Sequence, residues 1–118
     1  MPATAATPVP ALIVRTSAAS ESTAWKQQVH DACAAVVHEP LAAGPVALRV
    51  HCTVARRRNW AALWKPAIDA LGPVLGVRDA RRPFQPDDDR IVDLEPHRTV
   101  DDSVGDAVVI EHWWSTPA

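Results

Sequence analysis

The sequence predicts an α+β fold, a small mixed β-sheet with two helices packed on it. Three observations lead there. Val46 to Val54 alternates cleanly, with Val46, Leu48, Val50, Cys52 and Val54 pointing one way and Ala47, Arg49, His51 and Thr53 the other. Two apolar stripes recur at helical spacing, Trp25, Val29, Cys33, Val36 and Val37, then Trp60, Trp64, Ile68, Leu71 and Leu75. The order of segments is strand, helix, strand, helix, strand, strand, which suits helices on one face of the sheet.

Each element has a local cause. Pro10 to Arg15 is a short apolar run, read as a first strand. Ser17 to Ser22 is small and polar, as a turn and helix cap require. The first helix runs from Thr23 to about His38, where Pro40 stops it and Gly44-Pro45 completes the turn. The strand from Val46 follows, then the Arg56 to Arg58 run, then the second helix, closed by Gly72-Pro73. Arg78 to Asp89 is polar and Pro-bearing, so it reads as a loop. Ile91 to Leu94 and Ala107 to Trp114 read as strands, with Pro96 to Asp106 joining them as a long or bulged hairpin connection. This divides the chain into a flexible leader over residues 1–9, one domain over 10–114 and a tail over 115–118.

The composition limits the function classes. A chain of 118 residues is one domain's worth and buries enough surface for a core without staples. At 47% hydrophobic and 22% charged residues it matches an ordinary globular domain. No apolar run approaches the length of a membrane span, and the Ala/Thr/Pro-rich start lacks the marks of a signal peptide. Cys33 and Cys52 form no CxxC and no disulfide framework, so reduced thiols in a cytoplasmic protein are expected. A net charge of −2 excludes a strongly basic nucleic-acid binder by bulk charge. The positive charge is clustered, however, in Arg56, Arg57, Arg58 and Lys65, and again in Arg78, Arg81 and Arg82.

The candidate residues have plain local readings, and some carry a second. The arginine run at a strand-to-helix junction is a solvated turn or a phosphate contact. Lys65 and Asp69, four apart on one helix, can pair with each other. Asp87, Asp88 and Asp89 lie in a loop and read as a solvated acidic face. Asn59 ahead of Trp60-Ala61-Ala62 reads as a helix N-cap. His30, Cys33, His51 and Cys52 contain the elements of a zinc set, but both cysteines fall on core faces and are expected to be buried thiols. Trp113 and Trp114 put one indole on each face of the last strand, one for the core and one for a contact between copies.

The block Leu63-Trp64-Lys65-Pro66-Ala67-Ile68-Asp69-Ala70-Leu71, then Pro86-Asp87-Asp88-Asp89-Arg90-Ile91-Val92, then a final strand from Val108 to Trp114, resembles the RusA family of Holliday-junction resolvases. That family carries D-x-D-N-x-x-K-x-x-x-D-A-L opening a helix, with an acidic pair before an apolar strand. The resemblance runs from Val46 to Trp114 and implies a RusA-like fold, a homodimer and binding of branched DNA at a four-way junction. It implies catalytic roles for Lys65 and Asp88, Mg²⁺ held by Asp88, Asp87 and Asn59, and DNA contacts from Arg56, Arg57, Arg58, Lys65, Arg81 and Arg82. The chain departs from the motif where the metal should sit. The two motif aspartates fall at Asn59 and Ala61, and the motif asparagine falls at Ala62. Mg²⁺ binding is therefore expected to be weak or absent, and endonuclease activity with it. The alternative is a non-catalytic protein-interaction module on the same fold.

Overall fold

The computed structural model describes residues 10–17, 23–58 and 60–116. Asn59, the leader and residues 117 and 118 lie outside them, as does most of the expected Ser17 to Ser22 cap. The architecture is the expected α+β, a four-stranded mixed sheet with helices on one face. Strand β1 (Leu12–Thr16) leads to helix α1 (Thr23–Val36), and strand β2 (Val46–Val54) has the expected limits.

The second helix is broken. A single 3₁₀ turn at Ala61–Leu63 opens into α2 (Trp64–Asp69), and a separate turn, α3 (Gly72–Leu75), follows. Gly72-Pro73 was expected to close a helix and instead opens one, since Pro in the first turn has no N–H to leave unpaired. A side chain at Gly72 would press within 3.0 Å of the Pro83 carbonyl oxygen. The buried side is also shifted from the expected stripe. Leu63, Ala67, Ala70 and Leu71 are fully buried, while Trp64 and Ile68 are only partly so and Trp60 is exposed. The small side chains of Ala67 and Ala70 let this short helix lie close to the sheet. On α1, Trp25, Val29 and Cys33 are buried as expected, but Val36 ends the helix pointing outward, and Val37 packs on the core in its place.

The last two strands correct the expected hairpin. Strand β3 (Ile91–Val100) takes in Pro96 to Val100 and pairs in parallel with β2, from Val46 opposite Ile91 to Val54 opposite Val100. Strand β4 (Val108–Ser115) lies on the other side of β2, between it and β1, antiparallel to both. The sheet order is β1-β4-β2-β3. The assignment follows from burial. β4 alternates Val108, Ile110 and His112 inward and needs neighbours on both sides. β3 has no apolar alternation, is exposed along almost its whole length, and carries a proline, which an edge strand tolerates. Parallel pairing demands a crossover, and α2 and α3 supply it. Ser115 continues β4 opposite Ala47, so the tail begins one residue later than expected.

The core lies between the helices and the inward faces of β1, β2 and β4. Cys33 and Cys52 are buried, free thiols, and burial pushes them up to about 11 and about 12. Thr16, also buried, hydrogen-bonds the Gln28 amide oxygen and so ties β1 to α1. Among the described residues no helix is long and apolar enough to cross a membrane.

Candidate nucleic-acid interface

The sequence candidates divide between the two ends of β2. The Arg56 to Arg58 loop follows the last residue of β2, and the 3₁₀ turn of the motif helix follows that loop. Asp87 and Asp88 precede β3, whose first residue pairs with the first residue of β2. Because β2 and β3 run in parallel, the nine residues of β2 stand between the two groups. At a strand's rise this separation is roughly 26 Å.

At the far end of β2 the arginine loop is tied to the crossing that links β3 to β4. The Arg56 backbone N–H donates to Asp102 Oδ1 at 2.8 Å, and Arg58 Nη1 donates to the Asp106 carbonyl at 3.2 Å. Asp101 N–H in turn donates to the Val54 carbonyl, and the Asp101 carboxylate accepts from Ser103, which holds it below the usual carboxylate range. These bonds use the backbone of Arg56 and the side chain of Arg58. The Arg56 and Arg57 side chains stay exposed, with no hydrogen bond or ion pair among the described residues. Arg98, opposite Cys52 on β3, sits over the Trp60 ring with its guanidinium carbon 4.7 Å from the ring centroid. Lys65, 83% exposed, ion-pairs with Asp69 at 3.0 Å, the four-residue pairing available to it on a helix.

At the near end the charges cancel one another. Arg78 donates to Asp87 at 3.1 Å and to Asp89 at 3.3 Å, and the Asp87 bond above all holds its guanidinium charged. Arg81 chelates Asp79, whose carboxyl is depressed by it, and Arg82 lies 4.0 Å from the same carboxylate. Asp88 and Asp89 join Arg78, Asp79 and Arg82 around a shallow hollow of about 210 Å³. Arg81 and Arg82 thus do not extend the Arg56 to Arg58 patch, and Lys65 and Asp88 are not in contact.

Of the Mg²⁺ ligands implied by the resemblance, Asn59 lies outside the described residues, and Asp87 and Asp88 stand together ahead of β3. Asp87 is engaged by Arg78, Ala61 offers no ligand atom, and Asp88 is a strand's length from the turn containing Ala61. Among the described residues no group of three or more His, Cys, Asp or Glu is disposed to hold a metal ion. The zinc set fails on geometry too. His51 points to the open face of the sheet, between Glu111 at 3.4 Å and Thr99 at 2.7 Å, while Cys52 points into the core.

Two features escaped the sequence. Arg90, inside the acidic block, is a structural clasp on four backbone carbonyls. The open face carries its own hollow of about 360 Å³, bordered by Asp93, Glu95, Trp114 and the half-buried pair of Arg49 and Trp113, whose ring centroid lies 4.8 Å from the guanidinium carbon. The register of β2 against β3 and β4 makes the hollow, and the clasp depends on where the α1–β2 connection and α3 end; no strand's own sequence shows either. No family model matches the chain, and no curated protein matches it.

Proposed function

We propose that this chain binds branched DNA as a divergent relative of the RusA-type resolvases, with Mg²⁺-dependent cleavage weak or lost. The observation that supports this most is the pair of exposed, uncommitted guanidiniums, Arg56 and Arg57, on a loop fastened at both ends beside the start of the motif helix. A net negative domain can attract phosphate only through such a local field. Lys65 adds a cation one helical turn further on, and its ion pair with Asp69 leaves the ammonium exposed.

A four-way junction presents strands at symmetry-related positions, so the reading carries a homodimer. Asp88, with Asp87 and Asn59, is the remaining route to a weakly held Mg²⁺, and the metal's part would be to polarise the scissile phosphate. The free, buried thiols of Cys33 and Cys52 accord with a cytoplasmic setting.

The test is a gel shift on an immobile four-way junction and on plain duplex of equal length, without Mg²⁺. The chain is expected to prefer the junction. Arg57→Ala should weaken binding about tenfold and lower the slope of log affinity against log salt by about one. Equal affinity for junction and duplex would count against the proposal. Junction cleavage in Mg²⁺ that Asp88→Asn abolishes would replace it with an active endonuclease. The open-face hollow of Arg49 and Trp113 favours one second reading, a protein-interaction module, which takes over if no nucleic acid binds at physiological salt.

A further inference from the structure

Trp60 is the exposed tryptophan of the chain that its own helix fails to bury. It is 37% exposed, whereas Leu63 and Ala67, three and seven residues on, fill the core position that a tryptophan stripe was expected to occupy. Its ring is nonetheless held in place. Trp64, partly buried against the core, meets it edge-on with centroids 6.4 Å apart and planes at 75°. Arg98 covers it from β3 at 4.7 Å. Arg98 makes no ion pair or hydrogen bond among the described residues, so its charge is not spent on a carboxylate. The exposed Arg56 and Arg57 side chains arise from the same end of β2.

A braced, half-exposed indole backed by a free guanidinium and flanked by two more cations has a defined chemistry. The indole offers a flat apolar surface to a nucleobase, and the cations balance the phosphates on either side. Base pairs inside a duplex hide their faces from such a surface, so it takes an unpaired base. We propose that Trp60 and Arg98 form a stacking platform for an unpaired nucleobase, positioned where base pairing is broken at a DNA branch point. The proposal rests on the branched-DNA reading and goes beyond it, because arginine contacts to phosphate alone require no open base.

The experiment uses the full chain and three labelled probes, a single-stranded dT₁₂, a fully paired hairpin duplex, and a four-way junction with 2-aminopurine at the crossover. Anisotropy gives affinity and 2-aminopurine emission reports stacking. Trp60→Leu keeps apolar bulk without the wide aromatic face, and Trp60→Phe restores a ring. The wild type should bind dT₁₂ and change the 2-aminopurine signal. Trp60→Leu should lose about tenfold in affinity for dT₁₂ and junction, Trp60→Phe should stay within about threefold, and duplex binding should not move. Unchanged dT₁₂ and junction binding by Trp60→Leu overturns the platform. So does equal loss by both variants on all three probes, which would mark a structural role. If the wild type binds the junction through Arg57 yet ignores dT₁₂ and leaves 2-aminopurine unchanged, the platform is overturned and the branched-DNA reading stands. If it binds none of the three probes, both fall.

Discussion

Arg90→Ala is expected to destabilise the fold by about 3 kcal/mol, the largest effect of any single surface-side substitution in this chain. The Arg90 guanidinium donates from Nε to the Gly44 carbonyl at 2.9 Å, and from Nη1 to the carbonyls of Leu41 and Leu75 at 3.1 and 3.0 Å. Nη2 donates to the Ala42 carbonyl. The acceptors belong to two segments, the connection from α1 to β2 and the end of α3, and Arg90 itself stands at the start of β3. One side chain therefore closes the near end of the sheet against the helical layer. Its removal leaves carbonyls without their charged donor, and some are too enclosed for water to replace it fully. Lysine cannot stand in, since a point ammonium lacks the planar fork that reaches carbonyls on separate segments. Urea unfolding should show a lower midpoint for Arg90→Ala with the slope unchanged, and Arg90→Lys should recover less than half. Melting should fall by roughly 10 °C or more for a domain of this size. A midpoint for Arg90→Ala equal to that of the wild type would mean that the clasp contributes nothing.

The second large effect is acid sensitivity from His112. This imidazole faces inward on β4 between Leu12 and Val50 and is fully buried. Its Nε2 donates a long bond to the Ala67 carbonyl at 3.4 Å, and Nδ1 has no partner among the described residues. Burial disfavours the imidazolium and pushes the group down to about 4, with the Ala67 carbonyl opposing weakly. In the unfolded chain it titrates at its ordinary 6.5. Between these values the unfolded state binds the extra proton, so stability is present in full above pH 6.5 and is lost as the pH falls toward 4. The whole interval corresponds to about 3 kcal/mol. Asp79 and Asp101, also depressed, begin to act only near and below their ordinary 3.8 and do not mask this window. Denaturation at pH 7 and at pH 4.5 should show most of that loss in the wild type. His112→Leu should remove the difference while keeping stability at pH 7, because a buried polar atom without a partner is exchanged for an apolar side chain. An unchanged slope in the leucine variant would place the acid sensitivity elsewhere.

His112 and Arg90 also show where reading from sequence stops. His112 sits in a strand whose alternation was plain, yet an inward histidine becomes a suppressed base only because α2 lies over it. Arg90 falls between the acidic loop and the strand from Ile91, and no local pattern says that carbonyls of residues 41, 42, 44 and 75 converge on it. The candidate site has the same character. Lys65 with Asp69, the buried cysteines, and the opposed indoles of Trp113 and Trp114 were legible because each depends on side-chain direction within one element. The neutralisation of Arg78, Arg81 and Arg82 by aspartates was not, since it depends on the path of an irregular loop.

By itself the sequence determined the α+β class, the limits and inward face of β2, the start of α1 and its buried stripe from Trp25 to Cys33. Backbone geometry repeats every two residues in a strand and every 3.6 in a helix, so the pattern of apolar residues carries that information locally. Only the tertiary structure decided that β4, not β3, lies beside β2 on its inner side, and that β3 runs on to Val100 as a parallel edge. Strand neighbours are chosen by which faces the whole chain can bury at once, a property of no single segment. That choice put Arg56, Arg57 and Trp60 at one end of β2 and Asp87 and Asp88 at the other.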